Sequence, residues 1–269
     1  MNTRDFPQEN PIIRLDVEGG IATVTFTQPA RGNPIDGPCC RAFRDSALAL
    51  WNTEHLRAVH LRAEGANFSF GGDVKSFYSL RERLGGLVRE WTADLHTGLQ
   101  RFWQLPVPVV AEVQGFAMGG AVALVAGCDF VLAGSSARFG SAFAQLGFSC
   151  DTGSTVTLAA RLGVARAKRF MLKPEIHSSA QAHAMGLVDE VVEDNALAAE
   201  ARSRVEELAA GPTLALGEIK RLFLRTGERT LEAQLEDEAL TLARIAASAD
   251  AREGIAAMVE RRKPQFKAI

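Results

Sequence analysis

The chain has 269 residues, of which 47% are hydrophobic and 23% charged, and 30 basic side chains nearly balance 32 acidic ones. This length and composition indicate a globular protein with a substantial core, and the balanced charge argues against a nucleic-acid-binding surface. No apolar run reaches the length of a membrane span, and the first residues lack the apolar segment of a signal peptide. The four cysteines have neither zinc-ligand nor disulfide-framework spacing. We therefore expect a cytoplasmic protein without a metal, a nucleic-acid partner or a membrane partner.

Apolar periodicity and turn residues predict alternating strands and helices over the first part of the chain. In chain order we expect a β-hairpin at 12–17 and 21–27, a helix at 41–51, a strand at 58–62, a variable region to about 86, a helix at 87–105, a strand at 109–113, a helix at 121–126 and a strand at 129–133. Repeated strand-plus-helix units of this kind predict an α/β fold.

From residue 155 onward the pattern is almost entirely helical, and strand propensity returns only at 187–192. The expected helices are 155–162, 164–172, 179–185, 195–210, 213–225, 229–247 and 250–261. We therefore divide the chain into an α/β core at 1–195 and a helical C-terminal part at 196–269, with residues 1–10 held loosely.

Two glycine-rich turns, each preceded by a short apolar strand, are the most informative features of the sequence. The first turn is NFSFGGD at 67–73, and the second is QGFAMGGA at 114–121, which leads into a helix. Glycine permits a sharp turn and close approach to its N–H group, and a helix N-terminus adds unpaired donors. Two such N–H groups converging on one point would stabilise a thioester enolate or a tetrahedral oxyanion. Either turn alone could instead be an ordinary tight connection.

The two turns together resemble those of the crotonase, or enoyl-CoA hydratase/isomerase, superfamily. The resemblance continues in VPVVA at 107–111, GCDFVLA at 127–133, ARFG at 137–140, LGVARA at 162–167, AQAHAMGLVD at 180–189 and REGIAA at 252–257. It implies a crotonase-like spiral of ββα units, a helical C-terminal trimerisation region, and a homotrimer or hexamer. It also implies acyl-CoA substrates, with coenzyme A entering as part of the thioester and no separate cofactor. By position, the oxyanion donors are the backbone N–H groups of Gly72 and Gly120.

This chain departs from the hydratases that it resembles at both of their catalytic glutamates. The corresponding positions are Ala123 and Phe143, neither of which can transfer a proton. Hydration moves a water and a proton at adjacent carbons, for which those enzymes use two carboxylates. Simple two-glutamate hydration is therefore disfavoured.

Asp151 is the acid that remains near these positions. It matches an aspartate that shuttles a proton in dienoyl-CoA and phenylacetate-type isomerases of the superfamily, and one that acts as the nucleophile in 4-chlorobenzoyl-CoA dehalogenases. Its structural alternative is an N-capping aspartate for the helix that begins near residue 154. We expect an enoyl-CoA isomerase in which Asp151 removes a proton and returns it to another carbon.

His96 falls in register with the general-base histidine of the dehalogenases, and a histidine suits water activation near neutral pH. It could equally be a surface or core histidine. The two tryptophans that hold the aromatic ring in those enzymes are replaced by Leu95 and Phe143. A hydrolytic enzyme with Asp151 as nucleophile, a single-carboxylate hydratase and a non-catalytic acyl-CoA binder remain alternatives.

The remaining candidates are binding residues. We expect Phe116, Phe143 and Phe148 to line the acyl pocket, and residues 74–95 to shape it. Glu112, an acid within an apolar strand, is expected in a buried or interface ion pair. By family position, the substrate or its coenzyme A would also contact Arg31, Phe70, Asp73, Lys75, Lys220, Lys263 and Phe266.

Overall fold

The computed structural model describes residues 11–268, so the prediction for 1–10 lies outside the described residues. The strands are β1 (Ile13–Glu18), β2 (Ile21–Phe26), β3 (Ala58–Ala63), β4 (Val109–Val113), β5 (Phe116–Met118), β6 (Phe130–Gly134), β7 (Arg138–Gly140), β8 (Ile176–Ser178) and β9 (Glu190–Val192). The helices are α1 (Gly37–Trp51), α2 (Val74–Ser79), α3 (Leu84–Trp103), α4 (Gly120–Ala126), α5 (Ser154–Leu162), α6 (Val164–Leu172), α7 (Ser179–Met185), α8 (Leu197–Ala209), α9 (Thr213–Leu224), α10 (Leu231–Ala246) and α11 (Ala249–Glu260).

The strands form two sheets. The larger has the order β1-β2-β3-β4-β6-β9, in which only the β1–β2 hairpin is antiparallel. The smaller has the order β5-β7-β8. Parallel neighbours need crossover connections, which the helices between them supply. The α/β class predicted from the sequence is confirmed.

The two faces of the larger sheet pack against different layers because side chains alternate along a strand. One face, with Val24, Leu61 and Ala111, belongs to the main core. The other face packs against α8 through a second buried cluster. Helix α8 is therefore part of the sheet's own packing, although it follows residue 195, where we placed the end of the core.

Helix α1 begins four residues earlier than predicted, at Gly37 rather than residue 41. The Asp36 side chain accepts a hydrogen bond from the Cys39 N–H, and Pro38 lies in the first turn. Both features favour a helix start, because the carboxylate satisfies an unpaired donor and proline has no N–H to lose.

The sequence pattern does not predict four short elements: β5, β7 and β8, and helix α2, which lies in the variable region before residue 86. The three strands have three residues each. A segment of that length shows no measurable periodicity, so hydrophobic pattern cannot reveal it. The prediction that strands after residue 155 are confined to 187–192 is therefore wrong.

The two glycine turns lie side by side. The Ser69 N–H donates to the Phe116 carbonyl at 2.9 Å, and the Met118 N–H donates to the Ser69 carbonyl at 2.9 Å. This parallel pairing of Ser69 with Ala117 holds the turns in a fixed register.

Among the helices of residues 11–268, none combines the length and the apolar character that a membrane span requires.

Replacing Gly115 by alanine is expected to destabilise the fold by about 3 kcal/mol or more, because strain and overpacking add. Gly115 has φ +55°, and a Cβ atom there would lie 2.0 Å from the Ala66 carbonyl oxygen. The free energy of unfolding in urea measures the effect. The control is Gly86→Ala in α3, where no atom lies within 4 Å and stability should rise by about 0.5–1 kcal/mol. Equal effects in the two variants would contradict the assigned role of Gly115.

Candidate active site

A cavity of about 560 Å³ opens where the two glycine turns meet the loop between β7 and α5. Gly72 lies in its wall, as do Gly119 and Gly120 of the second turn. Asp151 and Thr152 complete the wall from the loop. The remaining lining is mostly apolar: Ile35, Phe70, Val74, Phe77, Leu84, Val88, Trp91, Leu95, Phe143, Leu146 and Phe148.

The backbone N–H groups of Gly72 and Gly120 have no acceptor among residues 11–268, although their neighbours do. The Gly71 N–H donates to Ser69 Oγ at 3.0 Å, and the Gly119 N–H donates to the Gly140 carbonyl at 2.9 Å. The paired turns thus place two free donors on one cavity. Amides arranged in this way can hold a carbonyl oxygen on which negative charge develops.

Asp151 meets His96 beside this cavity. The His96 Nε2 atom lies 2.7 Å from Asp151 Oδ1, and the two side chains are 53% and 32% exposed. Helix α5 takes Gly153 as its N-cap and receives no side-chain capping bond, so the N-capping role considered for Asp151 is not seen. Asp151 is part of the cavity wall, whereas His96 is not.

The loop that carries Asp151 is held in a strained conformation. Thr152 has φ +57°, a region that β-branched residues very rarely occupy, and Gly153 follows with φ +67°. Thr152 is buried, and its Oγ1 atom lies 2.5 Å from the position of a Cβ on Gly120. The absent side chain at Gly120 therefore makes room for Thr152, and the loop packs directly against the second turn.

The positions of the two hydratase glutamates hold no acid. Ala123 is buried within α4, and Phe143 lines the cavity. Glu112 points to the other face of the sheet, where its Oε2 lies 2.9 Å from His60 Nε2 and its Oε1 lies 3.6 Å from Arg62. The ion pair predicted for Glu112 is therefore present, away from the cavity.

The aromatic residues partly follow the sequence-based expectation. Phe143 and Phe148 line the cavity, as does Phe70, whereas Phe116 lies behind Phe70 with ring centroids 5.5 Å apart. Phe77 and Trp91 also line it. They belong to the 74–95 segment that was expected to shape the pocket, but nothing in that segment distinguished these two rings from residues on the outer surface.

Arg31 connects two helix starts rather than presenting a free positive charge. It donates to Asp36 Oδ2 and Asp73 Oδ2, each at 2.8 Å. Asp73 in turn caps α2 by accepting from the Lys75 and Ser76 N–H groups. Burial opposes the Asp73 charge, but hydrogen bonds from Ser76 and Arg31 outweigh it and lower the pKa of Asp73. Lys75 itself is exposed on α2.

The C-terminal candidates lie apart from the cavity wall. Lys220 is 9% exposed and donates to Asp129 Oδ2 at 2.7 Å and to the Val107 carbonyl at 3.1 Å. It therefore ties α9 to the residues that precede β4 and β6. A coenzyme A contact by Lys220 stays a prediction. Phe266 packs on Gly254, and Lys263 is exposed. Coenzyme A contacts by Lys263 and Phe266 stay predictions.

The sequence model of the enoyl-CoA hydratase/isomerase family matches residues 16–268. The chain belongs to this family. The two paired glycine turns and the β-hairpin-led parallel sheet are thus the family's acyl-CoA-processing scaffold, the crotonase fold.

Relatives within the family carry both hydratase and isomerase names. A protein of Rhodobacter capsulatus named "Probable enoyl-CoA hydratase" is 33% identical over 256 residues, covering 94% of this chain and 97% of its own. The 1,2-epoxyphenylacetyl-CoA isomerase of Escherichia coli is 33% identical over 254 residues, covering 93% and 96%. The crystal structure of an enoyl-CoA hydratase from Polaromonas sp. JS666 superposes with a TM-score of 0.88 at 30% identity, covering 95% of this chain and 99% of its own.

Replacing Lys220 by methionine is expected to cost about 2–3 kcal/mol of unfolding free energy, because Asp129 would remain partly buried without its cation. Denaturant unfolding measures the loss. Affinity for free coenzyme A, measured by calorimetry, should stay unchanged. The control Lys173→Met removes an exposed ion pair with Glu175 and should cost less than about 1 kcal/mol. Weakened coenzyme A binding with unchanged stability would instead support the ligand-binding role.

Proposed function

We propose that this member of the family is an enoyl-CoA isomerase that moves a double bond from the 3,4 to the 2,3 position of an acyl thioester. The N–H groups of Gly72 and Gly120 bind the thioester oxygen. Asp151 removes a proton from C2, and the electron pair of the broken C–H bond delocalises over the dienolate and this oxygen. The same carboxyl group then returns the proton at C4, so no atom is gained or lost.

The observation that carries this proposal is that a single carboxylate, Asp151, lines the same cavity as the two free amides. A 1,3-proton shift needs one base that can reach both carbons, whereas the hydratase positions hold Ala123 and Phe143. Removal of one oxyanion donor typically costs about 3–4 kcal/mol of transition-state stabilisation, so the paired turns supply a large part of the rate. The similarity to a relative named 1,2-epoxyphenylacetyl-CoA isomerase supports isomerase chemistry on an acyl thioester.

In this mechanism His96 is a positioning residue. Its contact with Oδ1 fixes the carboxylate and leaves Oδ2 to exchange the proton with the substrate. A carboxylate held in this way contributes about 10²- to 10⁴-fold as a general base.

Replacing Asp151 by asparagine is expected to lower isomerisation at least about 100-fold and to abolish deuterium uptake from solvent, since the amide cannot accept the proton. The assay follows mass and double-bond position of a 3-enoyl-CoA in deuterated buffer. Asp45→Asn, which changes an exposed partner of Arg44, is the matched control and should retain both activities. Full isomerisation by the Asp151 variant would contradict the proton-shuttle role.

The distance of 2.7 Å between His96 and Asp151 also favours a second candidate, a hydrolytic reaction. Asp151 would attack a substrate carbon and form an ester while the leaving group departs with its bonding electrons. His96 would then take a proton from the water that cleaves the ester.

The hydrolytic candidate predicts that His96→Gln accumulates a covalent ester on Asp151 when an acyl-CoA that the unmodified protein hydrolyses is added. In this variant Asp151 can still attack the substrate carbon, but no base activates the water that cleaves the ester. Intact-protein mass spectrometry, followed by peptide mapping, would locate the added mass. The Asp151→Asn, His96→Gln double variant is the control and should remain unmodified. An unmodified His96 variant that still isomerises a 3-enoyl-CoA would remove this candidate.

Acyl-CoA binding without proton exchange would favour the non-catalytic alternative, and water addition to a 2-enoyl-CoA would favour single-carboxylate hydration.

We also propose a homotrimer or hexamer in the cytoplasm. In support, α10 and α11 expose Leu240, Ile255 and Met258 by 62%, 65% and 83%, a larger apolar surface than an isolated subunit needs.

A further inference from the structure

We infer that the acyl group bound in this cavity carries an aromatic ring, which packs on a wall of three aromatic side chains beside the oxyanion donors. The inference rests on the proposed function in one respect, the placement of the thioester oxygen at Gly72 and Gly120. It adds the substrate class, which neither the missing glutamates nor the Asp151–His96 pair specifies.

The aromatic wall consists of Phe77, Trp91 and Phe148. The rings of Phe77 and Trp91 are stacked, with centroids 6.4 Å apart and planes at 27°. The rings of Phe77 and Phe148 are tilted by 57°, with centroids 5.7 Å apart. These are distances and angles at which aromatic rings attract one another through their quadrupoles. All three side chains line the cavity, so a further ring can join the same cluster.

Two glycines set the position of this wall. The Phe77 ring atoms Cζ and Cε2 lie 2.5 and 2.7 Å from the point where a Cβ on Gly72 would be. Trp91 Nε1 lies 2.3 Å from the corresponding point on Gly37. Both rings therefore rest directly on backbone, and Phe77 rests on the residue that supplies an oxyanion donor. The acyl carbons next to a thioester held at Gly72 must pass along the Phe77 ring.

The far end of the wall approaches the candidate base. Phe148 stands three positions before Asp151 on the same loop, and both line the cavity. Among the other lining residues, polar side chains are few, with Thr92, Ser149 and Cys150 the main examples. The cavity volume of about 560 Å³ is within the range of small-molecule pockets and accommodates a phenyl group with its linker.

The test compares binding of phenylacetyl-CoA with that of cyclohexylacetyl-CoA by calorimetry on the full chain. The two thioesters have the same carbon skeleton, but only the first has a π-system, and neither has a double bond that the proposed reaction could move. We expect phenylacetyl-CoA to bind about 2- to 10-fold tighter, the factor that one or two aromatic contacts supply.

The ratio of the two affinities should fall towards one in Phe77→Leu and in Trp91→Leu, because these variants keep an apolar side chain but remove the ring. Tyr78→Leu is the matched control: Tyr78 is the next residue, is 71% exposed and lies outside the cavity wall, so its variant should keep the preference. Equal or tighter binding of cyclohexylacetyl-CoA by the unmodified protein would overturn the inference. It would also be overturned if the leucine variants lost affinity for both thioesters by the same factor.

The two proposals fail separately. Loss of the aromatic preference with Asp151-dependent isomerisation intact would remove the substrate class alone. A clear aromatic preference in a protein whose Asp151→Asn variant still isomerises a 3-enoyl-CoA would remove the proton shuttle alone.

Discussion

The pairing of Ser69 with the Phe116–Met118 strand is the contact on which the site depends. Its two backbone hydrogen bonds, with a third from the Phe68 N–H to the Gln114 carbonyl, fix the register of the glycine turns, and the register decides where the N–H groups of Gly72 and Gly120 lie. Each turn alone is an ordinary connection between a strand and the next element. Their convergence is a tertiary property, since it needs β4 and β3 adjacent in the sheet and β5 crossing beside Ser69. The cavity, Asp151 and the aromatic wall are all arranged around this fixed point.

The chemistry beside that point is supplied by different parts of the chain. The amides belong to turns anchored in the two sheets, whereas Asp151 belongs to the loop before α5, which packs on Gly120 through the strained Thr152. Strain of this kind costs about 1–3 kcal/mol and persists only where the surroundings hold it. In the proposed reaction, the groups that bind the thioester oxygen and the group that moves the proton therefore come from separate segments of the chain. Acids are absent at Ala123 and Phe143, whereas Asp151 lies further along the chain, so the candidate proton-transfer group differs in position from the hydratase glutamates.

Much of this arrangement could be predicted from the sequence, because the signals are local. Long periodic helices such as α3 and α10, and the apolar strands β3 and β4, appear nearly where periodicity placed them. Glycine spacing singled out the two turns that line the cavity, and the family resemblance singled out Asp151 and His96 as candidates, which the structure places 2.7 Å apart. Other features depend on packing that one sequence does not encode visibly. Lys220 meets Asp129 across 91 positions of the chain, a contact that no local pattern reveals. The inward direction of Phe77 and Trp91 depends on the missing side chains at Gly72 and Gly37.

The contact between Phe77 and Gly72 couples the shape of the acyl pocket to the position of the backbone at Gly72. Any side chain at position 72 would collide with the Phe77 ring, and a larger or differently directed residue at 77 would press on the backbone at Gly72. Under the proposed function, changes in acyl preference at this wall would therefore also alter the geometry of an oxyanion donor, and with it the rate. An evolutionary path to a new acyl group would have to pass through paired substitutions at 72 and 77, or leave both untouched and remodel Trp91 and Phe148 instead.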